Sequence, residues 1–190
     1  MSSENEDEND DVTAEVRVSG CDIYYYGDVD RKNVLEFVEK FKALEIDLLK
    51  KAIDLPGYAP TINVRICSDG GDVHAGMNAM DVLKGSRVRV HTYVEGVCCS
   101  AATFILLGGS RRYMGKHAYL LIHQLSSGFM GKYNELRDEL KTCKKIMKTV
   151  KKLYKTETDI PKDVLNDMMS RDIYINTEEC IKYGVVHEIS

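Results

Sequence analysis

The stretch Ile62-Asn63-Val64-Arg65-Ile66-Cys67-Ser68-Asp69-Gly70-Gly71 decides the fold. Its first half alternates apolar and polar side chains with a period of two, which suits a strand. It then runs directly into Ser68-Asp69-Gly70-Gly71, where glycine permits a tight turn. A helix is expected over about Val73 to Leu83, so strand, glycine turn and helix open a βα unit. Toward the N-terminus, Asp22-Ile23-Tyr24-Tyr25-Tyr26 reads as a strand that Gly27 ends. Between Asn33 and Lys51, Val34, Phe37, Val38, Phe41, Leu44 and Leu48 recur at helical spacing, and Leu55-Pro56-Gly57 breaks that helix. Toward the C-terminus, Val88, Val90, Thr92 and Val94 alternate as a strand, and the apolar stretch Ala101 to Leu107 is stopped by Gly108-Gly109. Ala118 to Ile122 reads as a further strand, and the longest helix is expected over about Tyr133 to Tyr154. A short helix near Lys162 to Met169, a loop through Asp172, and a closing helix and strand ending at Val185-Val186 complete the chain. Strands alternating with helices argue for an α/β fold with a largely parallel sheet, because parallel neighbours need a crossover between them.

At 190 residues, 44% apolar and 29% charged, the chain has room for one domain with a sizeable core. A net charge of -4 gives no reason to expect a nucleic-acid or membrane partner. No opening segment reads as a signal peptide and no apolar run approaches the roughly 18 residues of a membrane span, so a cytoplasmic protein is expected. Residues 1–15 hold seven acids and no base, a composition that points to a disordered acidic tail ahead of a domain over 16–190. The six cysteines form no C-x-x-C pair of a zinc site and read as small core residues, and no cofactor is expected.

Three residues carry candidate chemistry. Ser100 lies in Gly96-Val97-Cys98-Cys99-Ser100-Ala101-Ala102, read as a strand end and a small-residue turn at a helix start; helix N-terminal N–H groups there favour an oxyanion. The plain alternative is a serine N-cap, and Cys98 or Cys99 is a rival nucleophile. His123 follows the apolar run Leu120-Leu121-Ile122, at the strand end where α/β sites collect, although a core histidine fits as well. Asp172, in Ser170-Arg171-Asp172-Ile173-Tyr174, is a loop carboxylate that can hold an imidazole, or else an N-cap or a partner of Arg171. Together they supply a nucleophile, a base and an orienter.

Gly70-Gly71, Cys99-Ser100-Ala101, Ile122-His123-Gln124, Gly128-Phe129-Met130-Gly131, Arg171-Asp172, Thr177-Glu178-Glu179 and Tyr183-Gly184 resemble, in order and spacing, the motifs of the Clp protease proteolytic-subunit family, ClpP. The resemblance implies a ClpP/crotonase-like fold of repeated ββα units with a long protruding handle helix. It implies a serine endopeptidase with Ser100, His123 and Asp172 as catalytic triad and the N–H groups of Gly71 and Ala101 as oxyanion hole. Gly70 and the segment Leu125, Ser126, Ser127, Gly128 and Phe129 would bind substrate as an extended strand. Glycine at 71 is read as letting the backbone approach the substrate. The sequence departs from the family at Cys67 and Asp69 in the glycine turn, at Cys98-Cys99, at Ala101, and at Leu125, where a proline is usual.

Leu136, Leu140, Cys143, Met147, Val150 and Tyr154 recur every 3.5 residues, a seam for another helix or for the domain's own core. The lysine stripe beside it lacks an aromatic platform and reads as a solvated or intersubunit face. The resemblance implies a homo-oligomer of stacked heptameric rings, an AAA+ unfoldase partner and protein or peptide substrates. Alternatives are a non-catalytic ring or scaffold subunit, a stand-alone peptidase with a dedicated substrate, and a crotonase-like acyl-CoA enzyme.

Overall fold

A computed structural model describes residues 15–190. The expected acidic tail therefore lies outside the described residues except for Glu15. Its carbonyl accepts the Tyr26 N–H and its carboxylate accepts from Asn33 Nδ2, so Glu15 is tied to the strand that ends at Tyr26 and to the helix that follows.

Strands β1 (Val16–Ser19) and β2 (Asp22–Tyr26) form an antiparallel pair at one edge. Next to β2 run β3 (Thr61–Ser68), β4 (Arg89–Cys99) and β5 (Arg111–Met114), all parallel, and the C-terminal β8 (Glu188–Ile189) extends the sheet beyond β5. The helix α1 (Arg31–Asp54) precedes β3, α2 (Val73–Lys84) links β3 to β4, and α3 (Ala102–Leu107) links β4 to β5. Alternate residues of β3, Ile62, Val64, Ile66 and Ser68, are buried, and α1 adds Phe37, Phe41 and Leu48 to the same core. Burying such side chains contributes roughly 1.5–3 kcal/mol each before the entropy of ordering is set against it. The opposite face of these strands is half-exposed and covers itself with polar and aromatic groups. Tyr93 stacks on Tyr113 with ring centroids 4.7 Å apart, and Arg65 pairs with Asp22 and Glu95.

β4 is the strand that builds the site. Its first half pairs β5, with His91 opposite Arg111, and its second half pairs β6 (Tyr119–Leu121), with Cys99 opposite Leu121. Gly96, at φ 83, stands between the two halves in a conformation that favours glycine. The stretch Gly96-Val97-Cys98-Cys99 is thus strand, and the turn expected there is confined to Ser100-Ala101. Alternation alone hid this, because small residues weaken a strand signal that the β6 ladder then overrides. β6 also pairs antiparallel with β7 (Ile175–Asn176), which carries the Asp172 loop to the same place.

The long helix α4 (Tyr133–Glu157) packs on the core through its C-terminal half, where Val150 and Tyr154 are buried; Leu136 and Leu140 stand exposed farther out. The seam is thus divided, its C-terminal part in this chain's own core. α5 (Lys162–Met168) and α6 (Thr177–Lys182) follow. Val185 and Val186 are buried but not in a strand, and the closing strand is β8. β1, β5, β7 and β8 are too short to show a period in the sequence.

Candidate active site

Ser100 follows the last residue of β4 with φ 52, the one described non-glycine residue in the left-handed region. For an L-residue that conformation costs about 1–2 kcal/mol, and such strain collects where a side chain must be aimed. The turn is held by the Ser100 N–H to the Leu121 carbonyl (2.8 Å) and by Thr103, whose N–H and hydroxyl both donate to the Ser100 carbonyl. The N-cap position of α3 belongs to Ala101, and no side chain caps this helix, so capping does not account for Ser100.

Glycines press on this turn from two sides. A Cβ at Gly70 would stand 2.6 Å from the Cys99 carbonyl oxygen and 2.7 Å from Ser100 Cβ, and one at Gly76 would stand 2.6 Å from the Ala101 carbonyl oxygen. Gly71 has a packing reason as well. Its Cβ would meet the Val29 carbonyl oxygen at 2.4 Å, because Val29 bridges the turn through its N–H to Gly70 and its carbonyl from the Asp72 N–H. Close packing on Val29 therefore demands the glycine. Among the described residues, the N–H groups of Gly71 and Ala101 donate to no protein acceptor.

Ser100 and His123 line one cavity of about 70 Å³ together with Gly71, Ala101, Leu125 and Ser126. His123 follows β6, its side chain 26% exposed. Its Nδ1 is 3.9 Å from Asp172 Oδ1, and that carboxylate is 81% exposed. This is attraction across a gap, longer than a hydrogen bond. Arg171 pairs with Asp167 at 3.0 Å, which leaves Asp172 to face the imidazole. His187 Nδ1 accepts the Arg112 N–H, and His91 lies against Tyr113.

The apolar wall of the cavity comes from Val73, Phe104, Val150 and Tyr154, none of which the motif reading placed there. Tyr154 lies beside Phe104 and its hydroxyl bonds Thr103 Oγ1; burial pushes its phenol well above the ordinary range. Its helical spacing marked it as buried, but only packing shows against what. Leu125 donates its N–H to Met147 Sδ, Ser127 Oγ bonds Glu139, and Phe129 is exposed.

The rival cysteine nucleophiles are poorly placed for chemistry. Burial raises the Cys98 thiol well above its ordinary value and, despite the nearby Tyr174 hydroxyl, pushes Cys99 up to about 11. Both stay protonated near neutral pH, whereas a nucleophile needs the thiolate. Among the described residues, no three His, Cys, Asp or Glu side chains gather as a metal site would require, and no helix is long and apolar enough to cross a membrane.

Comparison with known proteins matches residues 7–190 to the Clp protease family. An ATP-dependent Clp protease proteolytic subunit of Deinococcus radiodurans is 30% identical over 130 residues, 67% of this chain and 64% of that protein. The ATP-dependent Clp protease proteolytic subunit 2 of Treponema denticola is 32% identical over 131 residues, 68% of this chain and 66% of that protein. The matched stretch spans just under two thirds of each relative. Among solved structures, a ClpP1 mutant from Listeria monocytogenes superimposes with a TM-score of 0.76 at 22% identity, covering 89% of this chain and 90% of that one. That likeness concerns the fold.

Proposed function

Because the chain belongs to the Clp protease family, we propose that it is a serine endopeptidase working through Ser100, His123 and Asp172. The observation that carries this reading is the left-handed Ser100, at a cavity whose wall also holds His123 and the uncommitted N–H groups of Gly71 and Ala101. Ser100 Oγ attacks the scissile carbonyl while His123 takes its proton. Gly71 and Ala101 donate to the oxyanion, and the amine departs with the proton from His123. Water then attacks the acyl-enzyme by the reverse relay. Asp172 accepts the imidazole Nδ1–H and stabilises the imidazolium; catalytic hydrogen bonds are often long without substrate and tighten around the transition state. Gly70 and residues Leu125 to Phe129 flank an extended peptide, whose P1 side chain meets the apolar cavity wall.

The subunits assemble, in this reading, as stacked heptameric rings enclosing the sites, with an AAA+ unfoldase feeding protein substrates in the cytoplasm. Exposed Leu136 and Leu140 on α4 support assembly, since one chain leaves that part of the seam unburied. The test uses a fluorogenic peptide and a fluorophosphonate on the protein beside Ser100→Ala. Turnover and labelling in an oligomer, both lost in the variant, are expected. An assembled protein that neither labels nor turns over peptide would replace the proposal with a non-catalytic ring subunit.

A further inference from the structure

An extended segment that offers its backbone to a peptide needs something other than a sheet to hold it. Residues 122–132 belong to no strand or helix, yet they lead from His123 along the proposed peptide path. Two side chains of α4 fasten them, and a third steadies one of the two. Met147 Sδ accepts the Leu125 N–H at 3.1 Å, and Glu139 Oε1 accepts the Ser127 hydroxyl at 3.1 Å. Cys143 Sγ donates to the same Glu139 oxygen at 3.5 Å. Glu139, Cys143 and Met147 recur every fourth residue, so they form one stripe along the helix.

Met147 is the contact nearest the chemistry. Leu125 lies two residues beyond His123 and itself lines the cavity with Ser100. Met147 packs against the core where α4 leaves the body, one turn before buried Val150. Its sulfur is therefore seated on a rigid part of the helix, whereas Glu139 sits farther out. A thioether is a weak, uncharged acceptor, so the bond acts by fixing position and adds no field to the site.

On the peptidase reading above, we propose that Met147 is a positioning residue for substrate. By accepting the Leu125 N–H, it sets where the chain leaves β6, so that residues 125–129 stand clear of Ser100 with their remaining main-chain groups open to an extended peptide. Alignment of a substrate strand, more than the chemical step, then depends on this sulfur.

A double-mutant cycle tests the proposal. Met147→Leu keeps a similar volume and removes the acceptor, Met147→Gln supplies an amide oxygen in its place, and Leu125→Pro removes the donor. Met147→Leu is expected to raise KM for a fluorogenic peptide about three- to tenfold with kcat within about twofold, and to speed deuterium uptake across residues 124–130. Met147→Gln recovers KM. In the Leu125→Pro background, Met147→Leu changes neither quantity further, because the bond is already absent. Unchanged uptake in Met147→Leu, or an equal cost in both backgrounds, overturns the proposal. A wild-type protein that neither turns over peptide nor takes the fluorophosphonate refutes the peptidase reading instead, and deuterium uptake alone then decides the anchor.

Discussion

Gly76→Ala sets two physical effects of opposite sign against each other. Gly76 lies inside α2 with ordinary helical backbone, and alanine there gains about 1 kcal/mol of helix propensity over glycine. The added Cβ would stand 2.6 Å from the Ala101 carbonyl oxygen and 3.1 Å from Phe104 Cδ2. The ring can swing away, but the carbonyl is backbone and accepts the Phe104 N–H at 3.2 Å, so relief moves the Ser100-Ala101 turn by about half an ångström or more. Overpacking of this kind costs about 1–3 kcal/mol, which leaves a net loss of ~0–2 kcal/mol in stability. The effect on reactivity is larger, because misplacing a reacting group by about 1 Å can cost 10²-fold. Urea denaturation reads the first quantity and the rate of Ser100 labelling by a fluorophosphonate the second, with a loss of about tenfold or more expected. Gly115→Ala is the control, since its Cβ meets nothing closer than the Val94 carbonyl oxygen at 3.5 Å and it lies outside the cavity lining. A Gly76→Ala protein about 1 kcal/mol more stable, labelling within about twofold of wild type, would refute the claim that glycine packing holds the turn.

The backbone at Ser100 makes a second prediction: Ser100→Gly should be more stable than Ser100→Ala by about 1 kcal/mol, because glycine accepts φ 52 without the Cβ penalty. Urea midpoints in the opposite order would remove strain from the account of the turn. Stability should fall as pH rises from about 8.5 toward 11, since burial pushes Cys99 up to about 11 and Cys180 up to about 12, keeping both protonated in the fold while the unfolded chain releases their protons. Denaturation midpoints between about pH 8 and 10.5 measure this, and Cys99→Ala should flatten the slope; a rising profile contradicts it. Finally, Leu136→Glu with Leu140→Glu should reduce the size seen by gel filtration, with the unfolding free energy of the disassembled chain changing by about 0.5 kcal/mol or less, because both side chains are exposed in the single chain. An unchanged elution volume would exclude this seam from assembly.

Elements long enough to show a period were readable in advance. Asp22–Tyr26 is a strand over the whole stretch that reads as one, and α2 and α4 start at Val73 and Tyr133 as expected. β5, β7 and β8 were not readable, because two to four residues carry no period and their pairing is decided by neighbours far along the chain. The second half of β4 reads as a turn from sequence because Gly96 and the two cysteines are small, whereas the ladder to Tyr119, Leu120 and Leu121 makes it strand.

The sequence by itself determined the alternation of elements, the parallel sheet, and the segments that carry a serine, a histidine and an aspartate, since local periodicity and turn residues act over a few positions. Tertiary structure alone decided that the serine is held left-handed, that Gly71 answers to Val29, and that Val73, Phe104, Val150 and Tyr154 face the same cavity. It also decided which part of the α4 seam stays exposed. The physical reason is common to all of these: close approach between residues distant in the chain is a property of packing, and packing leaves no period to read.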